Sequence, residues 1–394
     1  MPYASGRIYH DADSHIMEPR DWLLEHASAE WRDRMPLLGT SAIGAPEGAP
    51  PVDWRAVTCP LHLDPEYRAD ESQLMLRKNY DAVGSFERDH RSQALDQLGF
   101  ASQFVYNTWT SAVLQSAEHG LDHDLTYAMA DAHNRGMLDF CSVDERLLSV
   151  CYVPLADPAR AAATARQAIN DGAKALMIAS ACPRTHSPSH IDLDPVWAAA
   201  AEAGVPIVMH VGGGGELLSP SYFVNGLPGV PDFHGGAENF RSVDYMAIPT
   251  NPMQTTATMI FDGVFDRHEN LRLGIIEQGA SWLPGWMRYL DSAYRAFYKN
   301  EDRLQSLSAA PSEIVQRQVR ITPYPHEDTG WIIKNSAPEI CLFSSDYPHT
   351  EGGRNPLKRF GESLEGCTDE ELERFYSLNM VDLMGASMPA GLPA

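Results

Sequence analysis

The chain has 394 residues, 53 acidic against 30 basic, for a formal net charge of -23, and its lysines and arginines form no cluster. That balance argues against nucleic acid and anionic membrane surfaces as partners; with no charged leader ahead of an apolar core and no apolar run near the ~20 residues that span a bilayer, it predicts a soluble cytoplasmic protein. The six cysteines, at 59, 141, 151, 182, 341 and 367, are scattered and partly embedded in apolar runs, the usage of a reducing compartment and not of a disulfide framework or a Cys-rich zinc module.

Arg7 to His15 reads as a buried strand that ends in acidic and imidazole side chains. The stretch from about 19 to 100 shows little regular alternation, and its section AIGAPEGAPP suits a surface loop, so it reads as an insertion on the face where the first strand ends. Ser102 to Tyr106 is a predicted strand, Leu121 to Phe140 has helical spacing, and Leu147 to Val153 is a strand stopped by Pro154. Pro158 to Asn170 is a predicted helix closed by Gly172, followed by the strand Ala175 to Ala179. Asp194 and Pro195 open a helix that Gly204 closes, with Asp194 read as its cap, and Val205 to His210 is the next strand. A second insertion, 212 to 250, is rich in Gly, Pro and aromatic residues; loops this long inside a compact domain are usually lids or binding surfaces, and His234 is its lid candidate. Beyond it the pattern gives a helix from Met253 to Phe265, a strand from Leu271 to Ile276, an amphipathic helix from Trp282 to Tyr298, strands at Val319 to Thr322 and Ile340 to Ser344, and a helical tail from Asp369 to Leu383. Eight strands alternating with helices predict one α/β domain over residues 1–394, a distorted (β/α)8 barrel with long insertions on its catalytic face.

Several of these strands deliver an ionisable residue at the C-terminal end, where barrel enzymes place their chemistry. Asp13 and His15 are two apart, so on an extended strand both project to one side, as a chelating pair must. His210 ends its strand, and Asp346 follows the apolar run LFSS, where an unpaired carboxylate is costly unless it meets a cation or several donors. Taken singly, each could be a hydrogen-bonded loop or core residue; together they describe a metal site. Glu277 directly follows LRLGII and joins the same rim, either as a ligand or base or as a capping or salt-bridged carboxylate. His349, three residues past Asp346, is a candidate for substrate orientation or acid–base work. Gly212 to Gly215 lack both the dinucleotide spacing and a P-loop lysine, which disfavours a nucleotide-dependent oxidoreductase.

DADSHIMEP, MHVGGG, GVFDRHENLRLGIIEQGASWLP and FSSDYPH, in that order, resemble the amidohydrolase-2 family of the metal-dependent amidohydrolase superfamily, which includes the aminocarboxymuconate semialdehyde decarboxylases, resorcylate-type and carboxyvanillate-type decarboxylases, and some hydrolases and hydratases. The resemblance spans nearly the whole chain. It implies a distorted barrel, often a homodimer, holding one divalent ion, zinc or manganese. In it His15 matches the second His of an H-x-H pair, His210 the mid-chain His ligand and Asp346 the terminal Asp. Asp13 stands where many members have the first His, a position where the benzoate-type decarboxylases carry a carboxylate. Glu277 stands where the decarboxylases commonly have a His, which weakens decarboxylation and leaves metal binding intact.

The leading expectation is therefore a metal-dependent carbon–carbon lyase, a decarboxylase, acting on a small aromatic or unsaturated carboxylate. Asp13, His15, His210 and Asp346, with help from Glu277, would hold the metal, and Asp346, Glu277 and His349 would be the catalytic candidates. Arg55, Arg241 and Arg354 are loop candidates for the substrate carboxylate. The alternatives are a metal-dependent hydrolase of an amide, lactone or carbon–carbon bond, and a degenerate barrel that serves as a binding protein.

Overall fold

The computed structural model describes residues 2–39, 53–212, 218–228 and 241–393, and among these seven parallel strands follow one another in chain order around one curled sheet. They are β1 His10–His15, β2 Ser102–Tyr106, β3 Leu147–Tyr152, β4 Ala175–Ile178, β5 Ile207–His210, β6 Leu273–Ile276 and β7 Val319–Ile321. Every residue in them is buried. That explains the near-continuous apolar runs, since a parallel sheet covered outside by helices and filled inside by its own side chains has no wet face. No helix among the described residues is long and apolar enough to cross a membrane.

The expected eighth strand, Ile340 to Ser344, is not a regular strand, yet it closes the barrel. On one side Ile321 N donates to Ile340 O (2.9 Å) and Leu342 N to Ile321 O (2.8 Å); on the other Ala12 N donates to Phe343 O (3.0 Å), Asp346 N to Asp13 O (2.9 Å) and His15 N to Tyr347 O (2.7 Å). The ladder fails because two N–H groups are diverted. Phe343 N donates to Phe375 O in the C-terminal tail (2.9 Å), and Ser345 N donates to the Asp11 carboxylate (2.7 Å). The result is a distorted (β/α)8 barrel whose last position is irregular.

Two of the helices that escape the sequence reading do so for one reason: polar residues occupy their inner faces. Arg88–Leu98 turns Arg91 inward with Ala94, Leu95 and Leu98, so its apolar stripe is interrupted. Trp109–Glu118 buries Thr110, Ser111, Gln115 and Glu118, and its N-terminus is capped from a distance. Glu18, fully buried, accepts from the backbone N–H of Thr108 (3.1 Å), Trp109 (2.9 Å) and Thr110 (3.3 Å), which leaves no local capping signal.

Smaller differences have local causes. Asp194 is the first residue of Asp194–Ala203 and not its cap; its carboxylate pairs instead with Arg267 (2.9 Å) and His268 (3.2 Å). The helix expected over Met253 to Phe265 is divided into Thr250–Phe261 and Val264–Arg267 by Gly263, at φ 74°. The tail runs as Asp369–Glu373, a π-helical turn Arg374–Leu378, and Asn379–Met384. That turn carries Phe375 onto Phe360 (5.2 Å between centroids) and brings its carbonyl to the closing segment.

Asp11 ties three parts of the closure together. It accepts from Ser345 N (2.7 Å), Ser345 Oγ (2.5 Å), Gln103 Nε2 (2.7 Å) and Asp13 N (3.2 Å). Asp11→Ala strands these buried donors, and a loss of about 3 kcal/mol of unfolding free energy is expected, seen as a lower urea midpoint. An unchanged midpoint would show that barrel closure does not depend on this carboxylate.

Candidate metal centre

The site begins with a bulge. Pairing of β1 with β2 shifts between Asp11 and Ser14, where one extra residue on β1 re-aims the strand. Beyond it Ser14 points outward, donating to Phe104 O (2.6 Å) and accepting from Arg91 Nη2 (2.8 Å). Asp13 and His15 face the other way, with His15 Nε2 3.2 Å from Asp13 Oδ1. From β5, His210 places Nε2 3.3 Å from Asp13 Oδ1 and 3.2 Å from Glu277 Oε2. From the closing segment, Asp346 Oδ1 lies 3.5 Å from His15 Nε2 and 3.2 Å from His349 Nδ1. The potential ligand atoms of Asp13, His15, His210 and Glu277 all lie within 4.8 Å of one another, as do those of His15, Asp346 and His349. His15 joins the two groups into one buried cluster.

Glu277 and Asp346 both adopt φ 52°, a left-handed conformation that side chains with a Cβ seldom take and that surrounding contacts must hold in place. Glu277 N donates to Thr322 Oγ1 (2.7 Å) and Tyr324 Oη donates to Glu277 O (2.8 Å). Asp346 is fixed through its own N–H to Asp13 O and by His349 N donating to its carbonyl (2.7 Å). A Cβ at Gly352 would stand 2.2 Å from Ser345 O and 2.9 Å from Asp346 Cβ, so only glycine lets the following loop pass this close.

Backbone carbonyls set the imidazole tautomers. His15 Nδ1 lies 2.8 Å from Asn107 O, and His210 Nδ1 lies 2.8 Å from Val211 O. A carbonyl can only accept, so each Nδ1 carries the proton and each Nε2 lone pair faces the cluster. Burial, and then the charge of His349, push His15 down to about 3, which keeps it neutral. At Asp346 burial dominates and raises the carboxyl, with His349 opposing it.

These features fit a divalent ion. Asp13 Oδ2 and Asp346 Oδ2 are buried without a hydrogen-bond partner, a costly arrangement unless a cation shares them. Neutral imidazole nitrogens beside carboxylate oxygens suit zinc or manganese.

His349 is held differently. Thr108 Oγ1 donates its one proton to Ile16 O (2.8 Å), so at 2.8 Å it can only accept from His349 Nε2. Nδ1 then faces Asp346, 3.2 Å from its Oδ1. Glu18 fixes the N–H groups around Thr108, so this distant carboxylate positions His349. Sequence reasoning missed Glu18 and Thr108; the EP of DADSHIMEP, just after the strand, was the available signal.

Sequence reasoning also missed Lys78. Its Nζ donates to Gly353 O (2.7 Å), and the next residue, Asn79, donates through its backbone to Pro348 O (2.9 Å). Burial lowers Lys78, opposed by the charges of Asp346 and Glu351. The arginines singled out from the sequence are engaged elsewhere or exposed. Arg55 pairs with Glu87 (3.4 Å) and Glu25 (3.5 Å), Arg241 pairs with Asp244 (2.8 Å), and Arg354 is exposed. His234 and Gly213 to Gly215 lie outside the described residues.

The sequence matches a family model described as Amidohydrolase over residues 57–383. The chain belongs to the amidohydrolase family. It is an enzyme of that kind. No curated protein matched the sequence. Among solved structures, it is similar to an amidohydrolase from Mycobacterium avium subsp. paratuberculosis K-10, at 25% identity and TM-score 0.73 over 97% of this chain and 100% of that one. It shares its fold with 5-carboxyvanillate decarboxylase from Novosphingobium aromaticivorans DSM 12444, complexed with manganese and 4-hydroxy-3-methoxy-5-nitrobenzoic acid, at 15% identity and TM-score 0.63 over 96% of each chain. It also shares it with 2,6-dihydroxybenzoate decarboxylase from Rhizobium, at 14% identity and TM-score 0.61 over 97% of this chain and 99% of that one.

Elemental analysis checks the donor set. Wild-type amidohydrolase should purify with about one zinc or manganese ion per chain, Asp13→Ala and His210→Ala should lose it, and His349→Ala should retain it. Full metal content in the first two variants would remove those residues from the site.

Proposed function

We propose that this amidohydrolase is a divalent-metal-dependent decarboxylase acting on a small aromatic or unsaturated carboxylate. The observation that carries this reading is the buried cluster of Asp13, His15, His210, Glu277 and Asp346, whose lone pairs converge while Asp346 Oδ1 lies 3.2 Å from His349 Nδ1. The two decarboxylases with the same fold support the choice of substrate class.

Asp13, His15, His210 and Asp346, with Glu277 beside them, would hold the ion, zinc or manganese. When bound, such an ion supplies Lewis-acid charge that draws substrate oxygens and stabilises negative charge developing on them. The chain's own residues do the rest. His15 and His210 keep their Nε2 lone pairs aimed inward because their Nδ1 protons are committed to backbone carbonyls. Lys78, tethered beside Asp346 by the Gly353 carbonyl, supplies a positive charge for the substrate's anionic end. The Asp346–His349 pair delivers its proton to the ring carbon that bears the carboxylate. A carbon–hydrogen bond forms, the carbon–carbon bond breaks, its electron pair returns to the ring and carbon dioxide leaves. Thr108 and Glu18 keep His349 in the tautomer that makes the transfer possible.

Glu277 favours a second reading. At 3.2 Å from His210 Nε2 a carboxylate can accept a proton from an attacking water, and the same cluster would then hydrolyse an amide, lactone or carbon–carbon bond.

Carbon dioxide release from 2,6-dihydroxybenzoate, 5-carboxyvanillate and related hydroxybenzoates tests the choice. Asp346→Asn should lower turnover by roughly 10²-fold or more, the usual scale of an acid–base contribution. Glu277→Gln, compared at equal metal content, should change decarboxylation little and abolish hydrolysis. Hydrolysis of a lactone or amide with no carbon dioxide from any carboxylate would replace the first reading by the second.

A further inference from the structure

The rim outside Glu277 holds a cavity that the metal cluster does not use. It has a volume of about 340 Å³, within the range of small-molecule sites. Gln278, Trp282, Tyr324, Tyr245 and Met253 line it. The ends of β6 and β7 build it: Gln278 and Gly279 continue directly from Glu277, and Tyr324 reaches back through its hydroxyl to the Glu277 carbonyl. It therefore adjoins the reaction site on the catalytic face.

Its walls are flat and fixed. The rings of Tyr245 and Tyr324 lie 5.3 Å apart at 38°, His326 stacks on Tyr324 at 5.5 Å and 6°, and Trp282 is tethered by Nε1 donating to Gly279 O (2.8 Å). Aromatic faces and a thioether offer contacts to another ring. Among the described residues, the one charged residue lining it, Glu327, is already engaged. Its oxygens accept from the backbone of Ala280 (2.9 Å), Ser281 (2.7 Å) and Tyr324 (2.7 Å). Gln278 is only 2% exposed, and its Nε2 has no hydrogen-bond partner, so among the described residues the lining holds a neutral donor and no uncommitted charge.

We propose that this cavity receives a second, uncharged aromatic ring of the substrate, with Gln278 donating to an oxygen substituent on it while the carboxylate end sits at the metal cluster. The placement of the carboxylate end rests on the function proposed above; the preference for an uncharged ring rests on the cavity alone.

Isothermal titration of the manganese-loaded enzyme with 2-hydroxybenzoate, 2-hydroxy-5-phenylbenzoate and 4-hydroxybiphenyl separates the two. In wild type the added phenyl group should tighten carboxylate binding about tenfold or more, and 4-hydroxybiphenyl should bind on its own. Met246 also lines the cavity and is 75% exposed, so Met246→Trp can fill the mouth without disturbing the core, and Met253→Trp repeats the test at the inner wall. Both variants should lose the phenyl gain and keep 2-hydroxybenzoate binding. Equal affinity for the two carboxylates in wild type, or a gain that survives both variants, would overturn the cavity assignment and leave the carboxylate reading standing. Binding of 4-hydroxybiphenyl alone, lost in Met246→Trp, would keep the cavity and remove the carboxylate reading. Binding of none of the three would overturn both.

Discussion

Three carboxylates, Asp13, Glu277 and Asp346, meet three imidazoles in a space that is almost entirely closed to water. Burying like charges together is one of the most expensive things a fold can do unless positive charge sits among them. Much of the surrounding architecture follows from meeting that condition. Backbone carbonyls take the Nδ1 protons of His15 and His210, so neither imidazole competes for a proton and both offer a lone pair inward. Lys78 is brought in from a segment that precedes β2 and tied to the loop after Asp346. Asp11 is kept out of the cluster by donors of its own.

The same condition explains why the barrel is distorted where it closes. A regular eighth strand would alternate its side chains and pair every N–H with a neighbouring strand. Here Phe343 N goes to the tail and Ser345 N to Asp11, and the freed backbone turns at Asp346 into a left-handed conformation. That turn presents the carboxylate to His15 while its N–H still holds Asp13 O. The bulge in β1 and the matching turn at Glu277 are further local departures of this kind. All three sit at the C-terminal mouth, and regular pairing persists below them.

How much of this the sequence reveals depends on how local each cause is. The strands from Ser102 to Tyr106 and from Val205 to His210 are legible because burial on both faces leaves uninterrupted apolar runs. The ligand candidates are legible because each ends such a run. Glu18 and Thr108 are not, since their partners lie about 90 residues away in the chain and a fully buried glutamate looks in sequence like a surface one. Arg91 is similar: it sits with no exposure beneath His15, donating to the His15 carbonyl (3.0 Å), yet in sequence it only breaks a helical stripe. Lys78 shows the same limit from the other side. Reading for a substrate cation favoured arginines in loops, whereas proximity to Asp346 is decided by how the first long segment folds back over the last one.

On this reading Asp13, His15, His210 and Asp346 surround one cation position. Anomalous diffraction at the manganese edge, from crystals of the manganese-loaded protein, tests it directly. A single strong peak per chain is expected inside the cluster, within ligand distance of His15 Nε2, His210 Nε2 and both aspartates. A peak bound elsewhere, or a fully loaded protein with no peak between these residues, would contradict it.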